Sequence, residues 1–98
     1  MQFLILAHDA TDDDALARRM QHREAHLATI ARYKAAGHMH IGAALLDDNE
    51  KMAGSVIIAE FPTRKELDAW LAEDAYVVGK VWGKVEVTQC KVAPSFVK

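Results

Sequence analysis

Apolar residues fall in runs of three distinct periods along the chain, and the periods predict six main elements. Gln2 to His8 is apolar from the second residue onward, through Phe3, Leu4, Ile5, Leu6 and Ala7. A short continuous run of this kind reads as a central strand buried on both faces. Ala10 to Asp14 is a polar turn, and Asp12, Asp13 or Asp14 can cap the helix that follows, where carboxylates suit the positive end of the helix dipole. From Ala15 to about Ala36, Leu16, Met20, Leu27, Ile30 and Ala31 recur at helical spacings and make one apolar stripe. Gly37 ends that helix, with Arg32 and Lys34 in its last turn. His38 to Leu46 reads as a second strand and Asp47-Asp48-Asn49-Glu50-Lys51 as a polar turn. Ser55 to Phe61 is a third strand, buried on both faces and stopped by Pro62. Thr63-Arg64-Lys65-Glu66 has capping-box spacing and opens a short second helix that ends near Glu73. Asp74 caps one further turn through Val78, which Gly79 breaks. Val81 to Val92 alternates in its middle, as a half-exposed strand does, and Pro94 begins a short tail.

Strand, helix, strand, strand, helix, strand is the ferredoxin-like βαββαβ order, an α+β fold with a four-stranded antiparallel sheet carrying both helices on one face. The strands carry apolar residues on both sides, so the other face needs a cover. A second copy of the chain supplies one, which predicts a homodimer with two sheets packed as a dimeric α+β barrel. The chain has 98 residues, 51% hydrophobic and 27% charged, which is a single domain with one core. Its net charge of -2 lacks the basic footprint of a nucleic-acid binder. The first apolar run is too short for a signal segment, and no stretch approaches the roughly 20 apolar residues that cross a bilayer. With a single cysteine, Cys90, no internal disulfide forms, which fits the cytoplasm.

The chemistry concentrates on the first helix and on the segment after the second. Histidine as a residue type changes charge near neutral pH, so His26 is a candidate for general acid/base work. It lies about 80° from the centre of the apolar stripe, at roughly 100° per residue. Arg23 lies close to that centre, one turn before His26. A buried arginine needs a partner or a polar cavity, and a cation beside an imidazole favours its neutral, proton-accepting form. Asp74 can cap its helical turn or hold an imidazole N–H, which fixes the tautomer. Tyr76 and Ser55 can each offer a hydroxyl to a ligand. His38 and His40 point the same way on a strand, but spacing supplies no third metal ligand, so they read as strand-end polar residues. Cys90 has neither a nearby histidine nor a CxxC partner. Cofactor fingerprints such as GxGxxG, the P-loop and GxSxG are missing.

Ala7-His8-Asp9, Arg23-Glu24-Ala25-His26-Leu27, Gly42, Gly54-Ser55-Val56-Ile57-Ile58-Ala59-Glu60-Phe61 and Asp74-Ala75-Tyr76-Val77 together resemble the YCII-related (YciI-like) family over nearly the whole chain. The resemblance implies the same dimeric α+β barrel. It implies that His26 and Asp74 form the family's His–Asp pair. Arg23, Ser55, Tyr76 and Asp9 are the residues expected on the substrate side, and the expected chemistry calls for no cofactor or metal. One relative is a dehydrochlorinase acting on a chlorinated hydroxyquinol. The chain departs from the family pattern at Ala75 and Ala43, which stand where prolines are usual, and near Lys80, where a glycine is usual. The resulting expectation is cofactor-independent elimination or isomerisation of a small aromatic or unsaturated compound. The alternative is a non-catalytic, ligand-binding or accessory module built on the same dimer.

Overall fold

The computed structural model describes residues 1–96, and the account that follows is of those residues. The elements run β1 (Gln2–Asp9), α1 (Ala15–Ala35), β2 (Met39–Leu46), β3 (Met52–Glu60), α2 (Arg64–Glu73), α3 (Ala75–Val78) and β4 (Trp82–Cys90). The four strands form one sheet in the order β2-β3-β1-β4, and every pairing is antiparallel. This is the ferredoxin-like α+β fold. The tail after Pro94 is described through Phe96, and its last two residues lie outside the described part.

β1 is a central strand because its run is apolar on both faces. Phe3, Ile5 and Ala7 are buried beneath the helices with Ile57 and Ala59 of β3. Leu4 and Leu6 pair with Ile58 and Val56 on the opposite face, where they are only half-buried. Leu67, Trp70, Tyr76 and Val81 close the core above the sheet. Thr63 caps α2 as its spacing predicts: its Oγ1 accepts the Glu66 backbone N–H at 3.2 Å. Gly37 ends the first helix with φ +87°, a conformation that costs glycine nothing.

Two local expectations are corrected. No side chain caps α1. Asp12 is drawn instead into a two-point ion pair with Arg18, at 2.7 and 3.1 Å. β3 also begins three residues earlier than the apolar run, at Met52. Gly54 sits inside the sheet. A Cβ there would lie 2.5 Å from the Ala7 carbonyl oxygen, so only glycine lets the neighbouring strand come this close.

The larger correction concerns α1. Of its apolar stripe, Ile30 packs against the core, while Met20 is 52% and Leu27 45% exposed. The buried face carries Ala15, Arg19 and His26, with Ile30 and Tyr33 packed against the core. At about 100° per residue this face is turned roughly 90° from the stripe. Two polar side chains face inward because each finds a buried partner there, which outweighs the cost of taking it from water.

Candidate active site

Asp74 is fully buried at the junction of α2 and α3. Its Oδ1 accepts the Tyr76 backbone N–H at 2.9 Å, so the capping role expected of it is met. Its Oδ2 accepts the indole Nε1–H of Trp70 at 3.2 Å. The remaining contact is His26 Nδ1, 2.7 Å from Oδ1. A carboxylate offers only acceptors, and its other partners are both donors. The imidazole nitrogen must therefore donate, and Nδ1 carries the hydrogen. His26 Nε2 is left without a hydrogen-bond partner among the described residues. The imidazole lies flat on the Tyr76 ring, with centroids 3.8 Å apart and planes 7° apart. Trp82 meets both rings edge-on. These contacts leave the imidazole little freedom to turn.

Beside this pair, the sheet side of α1 holds a second buried polar group that the apolar pattern misses. Arg19 is 3% exposed. Its Nη1 donates to Asp9 Oδ1 at 2.9 Å, its Nη2 donates to Ser55 Oγ at 3.1 Å, and its guanidinium carbon stands 4.7 Å from the Tyr76 ring centroid. Trp82 Nε1 donates to the same Ser55 oxygen at 3.2 Å. Arg19 Nε and Asp9 Oδ2 have no hydrogen-bond partners among the described residues. Burial pushes the Asp9 carboxyl above its ordinary value, against the opposing pull of Arg19. Burial also raises the Tyr76 phenol, so it stays protonated through neutral pH.

A cavity of about 240 Å³ opens between α1 and the β2–β3 side of the sheet. His26, Arg19, Arg23, Ser55 and Tyr76 line its polar wall. Leu27, Ile30, Ile41 and Ile57 make its apolar wall. The structure thus brings His26, Arg23, Ser55 and Tyr76 to one space, with Asp74 behind the histidine. Asp9 is placed otherwise: it faces Arg19 and is not part of the lining. Arg23 is half-buried at the cavity edge, rather than in the centre of the buried face, and forms no ion pair among the described residues. The signal for Arg19 was present in the sequence: it precedes His26 by seven positions, which is two turns on one helix face.

His38 and His40 sit at the start of β2, the edge strand of the sheet. His38 Nδ1 lies 2.8 Å from the Glu60 carbonyl oxygen and stacks on Phe61. His40 Nε2 lies 2.6 Å from Glu60 Oε1, and this contact holds the Glu60 carboxyl below its ordinary value.

The YCII-related domain matches this chain over residues 1–91. An uncharacterized protein of Haemophilus influenzae is 31% identical, covering 93% of this chain and 97% of that one. Among solved structures, 5-chloro-2-hydroxyhydroquinone dehydrochlorinase of Burkholderia phenoliruptrix, in complex with 2,5-dihydroxybenzoquinone, superposes with a TM-score of 0.82. It is 25% identical, over 97% of this chain and 98% of that one. An antibiotic biosynthesis monooxygenase is similar in fold alone, with a TM-score of 0.55 and 16% identity, over 96% of this chain and 100% of that one.

Proposed function

Because this chain belongs to the YCII-related domain family, we propose that it is a cofactor-independent acid–base enzyme with His26 as its proton-transfer group. The observation that carries the reading is the set of partners around Asp74. Trp70, Tyr76 and His26 all donate to one buried carboxylate, so the imidazole tautomer is set with Nε2 as the free base. His26 lines a cavity of a size that admits a single small ring.

The substrate class is a small aromatic or unsaturated compound bearing an ionised oxygen. Arg23 stabilises that oxygen as negative charge develops, as a cation in a partly dry site does. In an elimination, Nε2 takes the proton and the electron pair left behind forms the new double bond. The leaving group, a halide for example, departs with its bonding pair. The imidazolium so formed is stabilised by Asp74 through Nδ1–H. Isomerisation uses the same groups, with the proton returned at another carbon. The likeness to the dehydrochlorinase supports the elimination arm of this reading.

The working form is a homodimer in the cytoplasm. The sheet face opposite the helices supports the dimer, because Leu4, Leu6, Val56 and Ile58 lie there only half-buried, outside the core beneath the helices.

Chloride release from chlorinated hydroxyhydroquinones tests the reading. Wild-type protein should release chloride, and His26→Ala should slow release about 10²–10⁴-fold with the fold retained. No release across the series, or a loss of only a few-fold in His26→Ala, would replace this reading with a binding module.

A further inference from the structure

The hydroxyl of Ser55 has a forced direction. A serine oxygen can accept two hydrogen bonds and donate one. In Ser55 both acceptor positions are taken, by Arg19 Nη2 at 3.1 Å and by Trp82 Nε1 at 3.2 Å. Both donors are themselves buried, and Asp9 anchors the arginine from its other side at 2.9 Å. The hydroxyl hydrogen has no acceptor among the described residues, and Ser55 lines the cavity. A buried donor without a partner is costly, so this hydrogen is an unmet demand on whatever enters. Arg19 strengthens the demand, since a cation donating to the oxygen polarises the O–H bond.

We propose that Arg19 and Trp82, by filling both acceptor positions of Ser55, make its hydroxyl a dedicated donor, so that this cavity selects a ligand oxygen anion and rejects an N–H group at that point. The ligand class is a ring carrying a phenolate or enolate oxygen, which receives the Ser55 O–H while Arg23 balances its charge. An amine at the same position meets a donor with a donor and two cations besides. Arg19 is here a positioning residue and acts through Ser55. The inference rests on the substrate reading given above, because it places the ligand in the cavity that His26 lines.

Pentafluorophenolate and pentafluoroaniline separate the two cases. They have nearly one shape, the first is ionised at neutral pH, and ring fluorines are poor acceptors that give a direct fluorine NMR signal. Equilibrium binding of each to the whole protein is measured by fluorine titration, which needs no turnover. A failure here is therefore distinct from a failure of the acid–base reading. Wild type should hold the phenolate at least about tenfold tighter than the aniline, the worth of one hydrogen bond to a charged group. Ser55→Ala should cut that ratio several-fold, leaving the charge preference that Arg23 supplies. Trp82→Phe keeps the packing but frees one acceptor position on Ser55, so the hydroxyl can turn and accept. Aniline binding should then improve several-fold while phenolate binding holds, and merely structural damage would weaken both probes. In Arg19→Lys, which can still donate to Ser55, the ratio should be kept. Equal affinity of wild type for the two probes, an unchanged ratio in Ser55→Ala, or parallel weakening in Trp82→Phe overturns the proposal. So does failure of wild type to bind the phenolate.

Discussion

One oxygen of Asp74 holds both members of a stacked pair: Oδ1 accepts the Tyr76 backbone N–H at 2.9 Å and the His26 Nδ1–H at 2.7 Å, and the two rings lie face to face. Position and tautomer are therefore fixed by a single carboxylate. In Asp74→Asn one acceptor becomes an NH2 donor, which must face either the Trp70 indole or both the imidazole and the Tyr76 backbone N–H. A buried donor–donor contact costs about 1–3 kcal/mol. If the amide faces His26, the imidazole relaxes by moving its hydrogen to Nε2, which removes the free base. Nitrogen-detected imidazole NMR should show Nδ1–H in wild type, with any shift in Asp74→Asn being toward Nε2–H. An Nε2–H tautomer in wild type would mean that Asp74 does not set the proton.

The pH dependence of stability carries a sign from Tyr76. Burial raises its phenol above the ordinary value near 10, so the folded protein holds this proton more tightly than the unfolded chain. The contribution of that difference is fully present below about pH 10 and is lost as the pH climbs through the raised folded value. Tyr33 is shifted in the same direction, also chiefly by burial. Urea midpoints measured from pH 8 to 11 should fall in wild type, and the fall should be smaller in Tyr76→Phe, with Tyr33 left to account for part of the remainder. An equally steep fall in both would remove Tyr76 from the cause.

The two arginines of α1 should separate stability from binding. Arg19 and Asp9 are paired with side chains only 4% and 5% exposed. Arg19→Met leaves Asp9 buried without its counter-charge, a change of about 3–5 kcal/mol for a buried pair broken on one side. Arg23 has no such partner, so Arg23→Met should leave the thermal midpoint nearly unchanged while weakening pentafluorophenolate binding. A large loss of stability in Arg23→Met would assign it a structural role instead.

That contrast also marks how far the sequence was legible. The order of elements follows from apolar runs closed by Gly37, Pro62 and Gly79, and the Asp74 cap follows from a carboxylate opening a short helical turn. His26 and Asp74 could be singled out because a titratable ring on a helix and a capping carboxylate are each visible locally. The facing of α1 was not legible. A hydrophobic stripe counts apolar residues, and here the inward face is held by Arg19 and His26, whose burial depends on Asp9 and Asp74, 10 and 48 positions away. Long-range pairing of this kind leaves no periodicity. The same blindness drew Arg23 toward the centre of the buried face and hid the link from Ser55 through Trp82.

The open face of the sheet gives the remaining prediction. Leu6 pairs with Val56 on one side and Glu86 on the other, and it points away from the helices. In an isolated protomer a lysine there would stand in water beside Glu86, so Leu6→Lys should scarcely affect folding. In a face-to-face dimer the same lysine would enter an apolar interface, and a buried unpaired charge is not tolerated. Sedimentation should give twice the 10.9 kDa chain mass for wild type and the single mass for Leu6→Lys, with unchanged circular dichroism. Met20→Lys, on the exposed flank of α1, should remain dimeric. A wild-type protein that sediments as a monomer at micromolar concentration, or a Leu6→Lys protein that stays dimeric, would place the cover of this face elsewhere.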